Sequence, residues 1–187
     1  MINEDLDIVN KVIQGDINSF GTIINQYEKG ISKFIYNIVK NKELSEDICQ
    51  EVFISAYYKL YSYNQEYRFS TWLYKIASNK CMDFFRKNKK SKEIDINVIN
   101  LYSKEATPES VIELKETKKN IELFLHSLKK LDRKILALKA SENRFSFREI
   151  SEILNMSESN VKKRYYNILE KYEAINCSEE ILEKGGV

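Results

Sequence analysis

Ser146-Phe-Arg-Glu-Ile-Ser-Glu-Ile-Leu-Asn-Met-Ser-Glu-Ser-Asn-Val161 carries two helix starts in one short stretch. Ser146 and Glu149 match S-x-x-E, in which the serine hydroxyl accepts from the Glu149 amide and the carboxylate accepts from the Ser146 amide, so a helix starts at Ser146. Ile150, Ile153 and Leu154 form its buried edge. It must stop near Asn155-Met156-Ser157, where Ser157 caps the next helix and Met156 staples onto Val161. Two helices joined this tightly make a helix-turn-helix. In the second, Val161, Tyr165, Ile168, Leu169 and Tyr172 take the core side, which sends Asn160, Lys162, Lys163, Tyr166 and Asn167 outward. These side chains suit a major groove: Asn pairs with adenine, Lys with guanine acceptors or phosphate, and a ring with the thymine methyl. The same spacing also fits an αα-hairpin with a solvated polar face.

Outward from this stretch, one Pro and five Gly in 187 residues favour long helices over sheets and turns, so an all-α protein is expected. The length suits one medium domain or two small ones. No run approaches the roughly 18 apolar residues of a membrane span, and the acidic start Met1-Ile-Asn-Glu-Asp differs from a basic signal region, so a cytoplasmic chain without membrane insertion is expected. Cys49, Cys81 and Cys177 lie far apart with only His126 beside them in composition, which suggests partly buried free thiols rather than disulfides or a zinc site. There is no glycine-rich phosphate loop and no nucleophile with an adjacent base; neither an enzymatic activity nor a cofactor nor a metal is expected.

Toward the N-terminus, Phe20, Ile23, Ile24, Tyr27, Ile31, Phe34, Ile35 and Ile38 recur at three- and four-residue steps, a core-facing helical stripe. A short helix around Leu6 to Ile13 precedes it. Another follows on Ile48, Val52, Ala56 and Leu60, and a third begins near Ser70 as cap, with Phe69 and Tyr74 as a hydrophobic staple. Between Lys89 and Ala106 the period is lost, which reads as a linker. Thr107-Pro108 then supplies a cap and a first-turn proline, and Val111, Leu114, Ile121, Phe124, Leu125, Leu128 and Leu131 continue a stripe. The expected division is a domain at 1–88, a flexible linker at 89–106, a helix-turn-helix domain at 107–175 and an acidic tail at 176–187.

The formal charge of +2 hides a polarised chain. From Lys75 to Lys92 there are seven Lys or Arg against Asp83 alone, whereas Glu43, Glu46, Asp47 and Glu51 cluster just upstream. On the third helix Trp72, Lys75, Asn79, Asp83 and Arg86 share a face opposite Leu73, Ile76, Ala77 and Phe84. With Tyr61, Tyr63, Tyr67 and Phe69 before it, this mixture suits single-stranded DNA, where bases stack on rings and cations follow the backbone. Packing in the core or at its edge is the other reading for each of these rings.

Three blocks together resemble the extracytoplasmic-function (ECF) group of bacterial RNA polymerase sigma factors over nearly the whole chain. Ser45-Glu-Asp-Ile-Cys-Gln-Glu-Val-Phe53 is similar to the family's D-x-x-Q-E-x-F signature on the helix that docks on the β′ clamp, which implies polymerase binding by Asp47, Gln50, Glu51 and Phe53. Asp47, Gln50 and Glu51 are indeed neighbours on one helix face, although a charge cluster of this kind is also what an ordinary solvated face carries. Phe69-Ser-Thr-Trp-Leu-Tyr-Lys-Ile-Ala-Ser-Asn79, continuing to Asp83 and Arg86, looks like the block that opens the minus-ten element and holds a flipped base. The resemblance places melted-promoter contacts on Tyr63, Tyr67, Arg68, Trp72, Lys75, Asn79, Asp83 and Arg86. The third block, the helix-turn-helix, would read the minus-thirty-five element.

The implied partners are core RNA polymerase (β′ clamp and β flap), promoter DNA and an anti-sigma factor. Unstacking a base costs a few kcal/mol and stacking on a protein ring returns about 1–3 kcal/mol, so a few rings shift melting without ATP. The sequence departs from the family where Leu128-Lys129 replaces Leu-Pro and where Ser159-Asn160 replaces Gly-Thr in the turn. The segment from Arg133 to Ser146 is also about one residue longer than is common. Two alternatives account for part of the pattern. A stand-alone helix-turn-helix regulator explains the second domain and leaves the Asp47-Gln50-Glu51 face unexplained, and a helical protein-interaction adaptor would bind only proteins.

Overall fold

The computed structural model describes residues 2–88, 121 and 123–184, and every regular element in them is helical. In the first half, α1 (Ile2–Ile13), α2 (Asn18–Val39), α3 (Lys42–Lys59) and α4 (Phe69–Asn88) follow one another, with a short 3-10 turn at Leu60–Ser62 after α3. The second half holds a helical stretch over 123–127, then α5 (Lys130–Lys139), α6 (Phe147–Leu154) and α7 (Glu158–Lys184). The expected linker at 89–106, the Thr107-Pro108 helix start, and Val111 and Leu114 lie outside the described residues.

The apolar stripe of α2 is buried at Phe20, Ile23, Tyr27, Ile31, Phe34, Ile35 and Ile38, each gaining about 1.5–3 kcal/mol of transfer free energy. The helix ends at Lys40, in the left-handed region at φ 58° with its amide on the Tyr36 carbonyl. Asn41 immediately caps α3, its side-chain oxygen accepting from the Leu44 amide at 3.0 Å. The Ile48, Val52, Ala56 and Leu60 face of α3 is buried as its spacing predicts.

The start of α4 differs from expectation. The helix begins at Phe69, with the Trp72 amide on the Arg68 carbonyl, so Ser70 lies inside it with a buried hydroxyl and no hydrogen-bond partner rather than acting as the cap. Phe69 and Tyr74 do not form a staple, because their rings serve different neighbours: Phe69 packs on Tyr27 and Tyr63, Tyr74 on Phe34 and Phe145.

The helix-turn-helix follows its sequence signals closely. Both hydrogen bonds of the Ser146–Glu149 capping box are present, α6 ends with Asn155 in the left-handed conformation, and the Ser157 hydroxyl accepts from the Asn160 amide at 3.4 Å. Ile121, expected on a buried stripe, is instead exposed, beyond the small cluster of Phe124, Leu128 and Ile168 that closes at Phe124. Of the acidic tail expected at 176–187, the residues up to Lys184 continue α7 as helix.

The two helical halves meet over one continuous core. Ile135, Leu138, Phe145, Ile150, Ile153 and Val161 of the second half are buried in the same cluster as the interiors of α1 to α4. Gly30 of α2 lets α4 approach, since a Cβ there would stand 2.8 Å from the Tyr74 hydroxyl, the far end of a buried ring that cannot step aside. Gly30→Ala is therefore expected to destabilise the chain by about 1–3 kcal/mol through overpacking. In a Tyr74→Phe background the same change should be neutral, or stabilise by up to about 1 kcal/mol from helix propensity. Urea unfolding of the four proteins checks this.

Candidate nucleic-acid interface

The polar face of α3 emerges beside α4. Asp47, Gln50 and Glu51 are exposed, and Glu51 is tied to α4 by the Lys80 ammonium at 3.0 Å. Phe53 is not on this surface; it is 6% exposed and forms part of the floor of a groove of about 710 Å³ between α2 and α3, with Ile24, Glu28, Gln50 and Ile54 around it. Continuing the line of Gln50 by four and eight residues, Ile54 is 57% and Tyr58 77% exposed. The sequence reading missed both, although their i, i+4, i+8 spacing on an otherwise polar face was available.

On α4, Lys75, Asn79, Asp83 and Arg86 are exposed along one stripe, with Asp83 and Arg86 paired at 3.4 Å. Trp72 is half-buried at the head of this stripe, its ring resting on Tyr63 at 5.4 Å and Phe69 at 5.5 Å. Tyr63 is thus a supporting ring rather than a free surface: it is buried, its hydroxyl donates to the Tyr67 carbonyl, and burial pushes that phenol up to about 12. Tyr67 and Tyr61 keep exposed rings.

Arg68 points elsewhere. Its guanidinium meets the Glu149 carboxylate at 3.0 Å across the junction of the two halves and also donates to the Asn143 carbonyl at 3.5 Å. Burial raises the Glu149 carboxyl, but the Ser146 amide and hydroxyl together with Arg68 outweigh it and hold the group below its ordinary value. Around this pair, Asn143 donates to the Tyr74 hydroxyl at 3.1 Å, and the buried Lys134 ammonium donates to the carbonyl and hydroxyl of Ser78, both at 3.1 Å.

On α7 the five side chains expected to face a groove, Asn160, Lys162, Lys163, Tyr166 and Asn167, are all exposed, while Val161 and Ile168 are buried. Lys162 is held by Glu158 at 2.7 Å, and its ammonium also lies 5.9 Å from the Phe147 ring, which Lys139 approaches to 4.5 Å. Lys163 stands beside Lys162 on the exposed face, so this end of the second half presents cations and rings together.

Among the described residues no group of three or more His, Cys, Asp and Glu side chains could hold a metal ion, and no helix is long and apolar enough to cross a membrane.

An exposed acid-amide face on α3, an aromatic and basic stripe on α4 and a helix-turn-helix stand together on this chain, in the order of the three blocks that resemble RNA polymerase sigma factors. The family model for sigma-70 region 2 matches residues 23–91, and a model described only as a protein of unknown function matches residues 79–174. The ECF RNA polymerase sigma factor SigW of Bacillus subtilis is 32% identical over 84% of this chain and 89% of its own length. SigM of the same organism is 28% identical over 82% of this chain and 92% of its own. The chain belongs to the ECF RNA polymerase sigma factors. Its fold is similar to that of CnrH, solved in complex with the cytosolic domain of CnrY (TM-score 0.64, 18% identity, 91% of this chain and 96% of that one). It is also similar to the sigma factor RpoE solved with the anti-sigma factor NepR from Bartonella quintana (TM-score 0.61, 18% identity, 81% and 92%).

Cys49 and Cys81 are free and buried, and burial pushes both thiols up to about 11. At pH 8 neither should react with an aromatic disulfide reagent on the timescale of an exposed thiol, and both should react promptly in denaturant. Prompt labelling of either in the native chain, mapped by peptide mass, would contradict this packing.

Proposed function

We propose that the chain binds core RNA polymerase through the exposed Asp47-Gln50-Glu51 face of α3, extended by Ile54 and Tyr58, and carries it to promoters that α4 helps to open and α7 locates. The unit at 1–88 docks and melts, the unit at 107–175 positions, and residues 89–106 connect them. Supporting this reading most directly is the juxtaposition of the acid-amide face of α3 with the Trp72-Lys75-Asn79-Arg86 stripe of α4, the two helices being joined at Glu51 and Lys80. One face suits a protein partner and the other unpaired DNA, so melting would occur beside the enzyme that uses the open strands. Tyr67 and Trp72 offer rings to bases, and Lys75, Asn79 and Arg86 offer donors to the strand. Asp83, paired with Arg86, orients that guanidinium.

The recognition helix would enter the major groove with Asn160, Lys163, Tyr166 and Asn167, Lys162 serving phosphate from its bridge with Glu158. The chemistry of RNA synthesis belongs to the polymerase; the chain is no enzyme, and it works in the cytoplasm. Both similar structures were solved with a second protein bound, in the case of RpoE an anti-sigma factor, and an anti-sigma factor is proposed as a partner here as well.

Retention of the chain on immobilised core polymerase, followed by run-off transcription from a mapped promoter, tests the proposal: both should occur, and a chain that neither binds core nor directs initiation sinks it. Gln50→Ala with Glu51→Ala should weaken core binding without unfolding, since the Glu51–Lys80 bridge is an exposed pair whose loss costs little. Lys163→Ala and Tyr166→Ala should each weaken holoenzyme binding to the promoter by about 1–3 kcal/mol while leaving core binding unchanged. Lys163→Ala should also reduce the salt dependence by about one counterion.

A further inference from the structure

Three rings close a triangle where α6 meets α7. Phe147, in the first turn of α6, lies 5.4 Å from Tyr165 and 6.2 Å from Tyr166 of α7, and the two tyrosines are 5.7 Å apart. All three spacings fall within the range of attractive tilted or edge-to-face ring pairs. Phe147 and Tyr165 are half-buried and packed against the main core, whereas Tyr166 is 54% exposed, so the base of the triangle is anchored and its apex is open. Two ammonium groups also approach the Phe147 ring, Lys139 of α5 at 4.5 Å and Lys162 of α7 at 5.9 Å, distances at which the ring attracts a cation. Lys139 is itself tied down, donating to the Phe145 carbonyl at 3.2 Å.

Phe147 is therefore held from three directions. The Ser146–Glu149 capping box sets the turn that carries it, Lys139 meets it from α5, and Tyr165 meets it from α7. The interior edge of α6 is supplied by other residues, Ile150 and Ile153, which leaves the Phe147 ring directed at the recognition helix. There it touches Lys162 and Tyr166, which stand four residues apart and so one above the other on the exposed face of α7. Both are among the side chains assigned to DNA under the proposed function. A long or large side chain loses rotamer freedom when it binds, and one already held by a neighbour loses less, so more of its contact survives as affinity. A ring kept in one pose also discriminates better than one that swings between several.

We propose that Phe147 is a positioning residue for promoter reading, holding Tyr166 against a thymine methyl and Lys162 toward phosphate without touching DNA itself. The inference rests on the proposed function of α7 for what these two side chains meet, but not for the ring support itself.

Holoenzyme reconstituted with the wild-type, Phe147→Leu or Phe147→Tyr chain is titrated with promoter duplexes in which each thymine of the minus-thirty-five element is replaced in turn by uracil, which removes only the methyl. One such replacement should weaken wild-type binding about fourfold, the worth of one buried methyl. Phe147→Leu keeps apolar bulk against Tyr165 but loses the ring; it should weaken binding to the thymine promoter about threefold and shrink the uracil penalty to less than about twofold. Phe147→Tyr, which keeps the ring, should retain wild-type discrimination. Far-UV circular dichroism checks the helices, and Phe147→Met takes the place of Phe147→Leu if that variant loses them. In parallel, relaxation of carbon-13-labelled tyrosine rings in the free chain, with Tyr166 assigned through Tyr166→Phe, should show Tyr166 ordered in the wild type, loosened by Phe147→Leu and ordered again in Phe147→Tyr. An undiminished uracil penalty in Phe147→Leu would overturn the proposal, as would a Tyr166 ring equally mobile in wild type and variant. A wild-type holoenzyme that initiates at the promoter without sensing any thymine methyl would overturn it together with the base contact of Tyr166. A Tyr166 ring that Phe147→Leu loosens, in a chain that neither binds core nor initiates, would uphold the ring support and overturn the functional reading instead.

Discussion

The ring of Tyr74 is packed from two sides, by Phe34 of α2 at 5.3 Å and by Phe145 of the second half at 4.9 Å, and its hydroxyl lies over Gly30 while accepting from Asn143. A buried phenol must find a partner for its polar end, and here the partner comes from the other half of the chain. Tyr74 therefore couples three things that would otherwise be independent: the approach of α4 to α2, the seating of the second half, and the orientation of α4 itself. Because Tyr74 fixes which face of α4 is inside, Lys75 and Asn79 are necessarily outside, one residue and five residues further along the same helix.

The charged groups at the junction do a different job from the rings. A half-buried ion pair recovers little more than the desolvation it suffers, so Arg68–Glu149 adds specificity of seating more than it adds stability, and the Lys134 ammonium, buried without a carboxylate, offsets part of its desolvation by donating to the carbonyl and hydroxyl of Ser78. Glu149 is committed twice, closing the α6 capping box on Ser146 and receiving Arg68. The helix-turn-helix start and the seating of the second half thus share one carboxylate, and its lowered proton affinity follows from having donors on both sides.

Which parts of this were legible in the sequence follows from how local each signal is. The helix-turn-helix was readable almost residue by residue because a capping box, a left-handed Asn and a 3.6-residue stripe are all set within a few positions, and Asn160, Lys162, Lys163, Tyr166 and Asn167 fell on the exposed face as spacing required. The Trp72-to-Arg86 stripe was legible for the same reason. The failures lie where a long-range neighbour decides. Nothing near Tyr63 announces that Phe69 and Trp72 will cover it, and nothing near Ser70 announces that α4 begins one residue earlier, with Phe69 drawn in by Tyr27. Arg68 looked like a loop cation available to DNA because its partner, Glu149, is 81 residues away. Phe145 carried no signal at all, being a lone apolar residue in a polar connection between two helices.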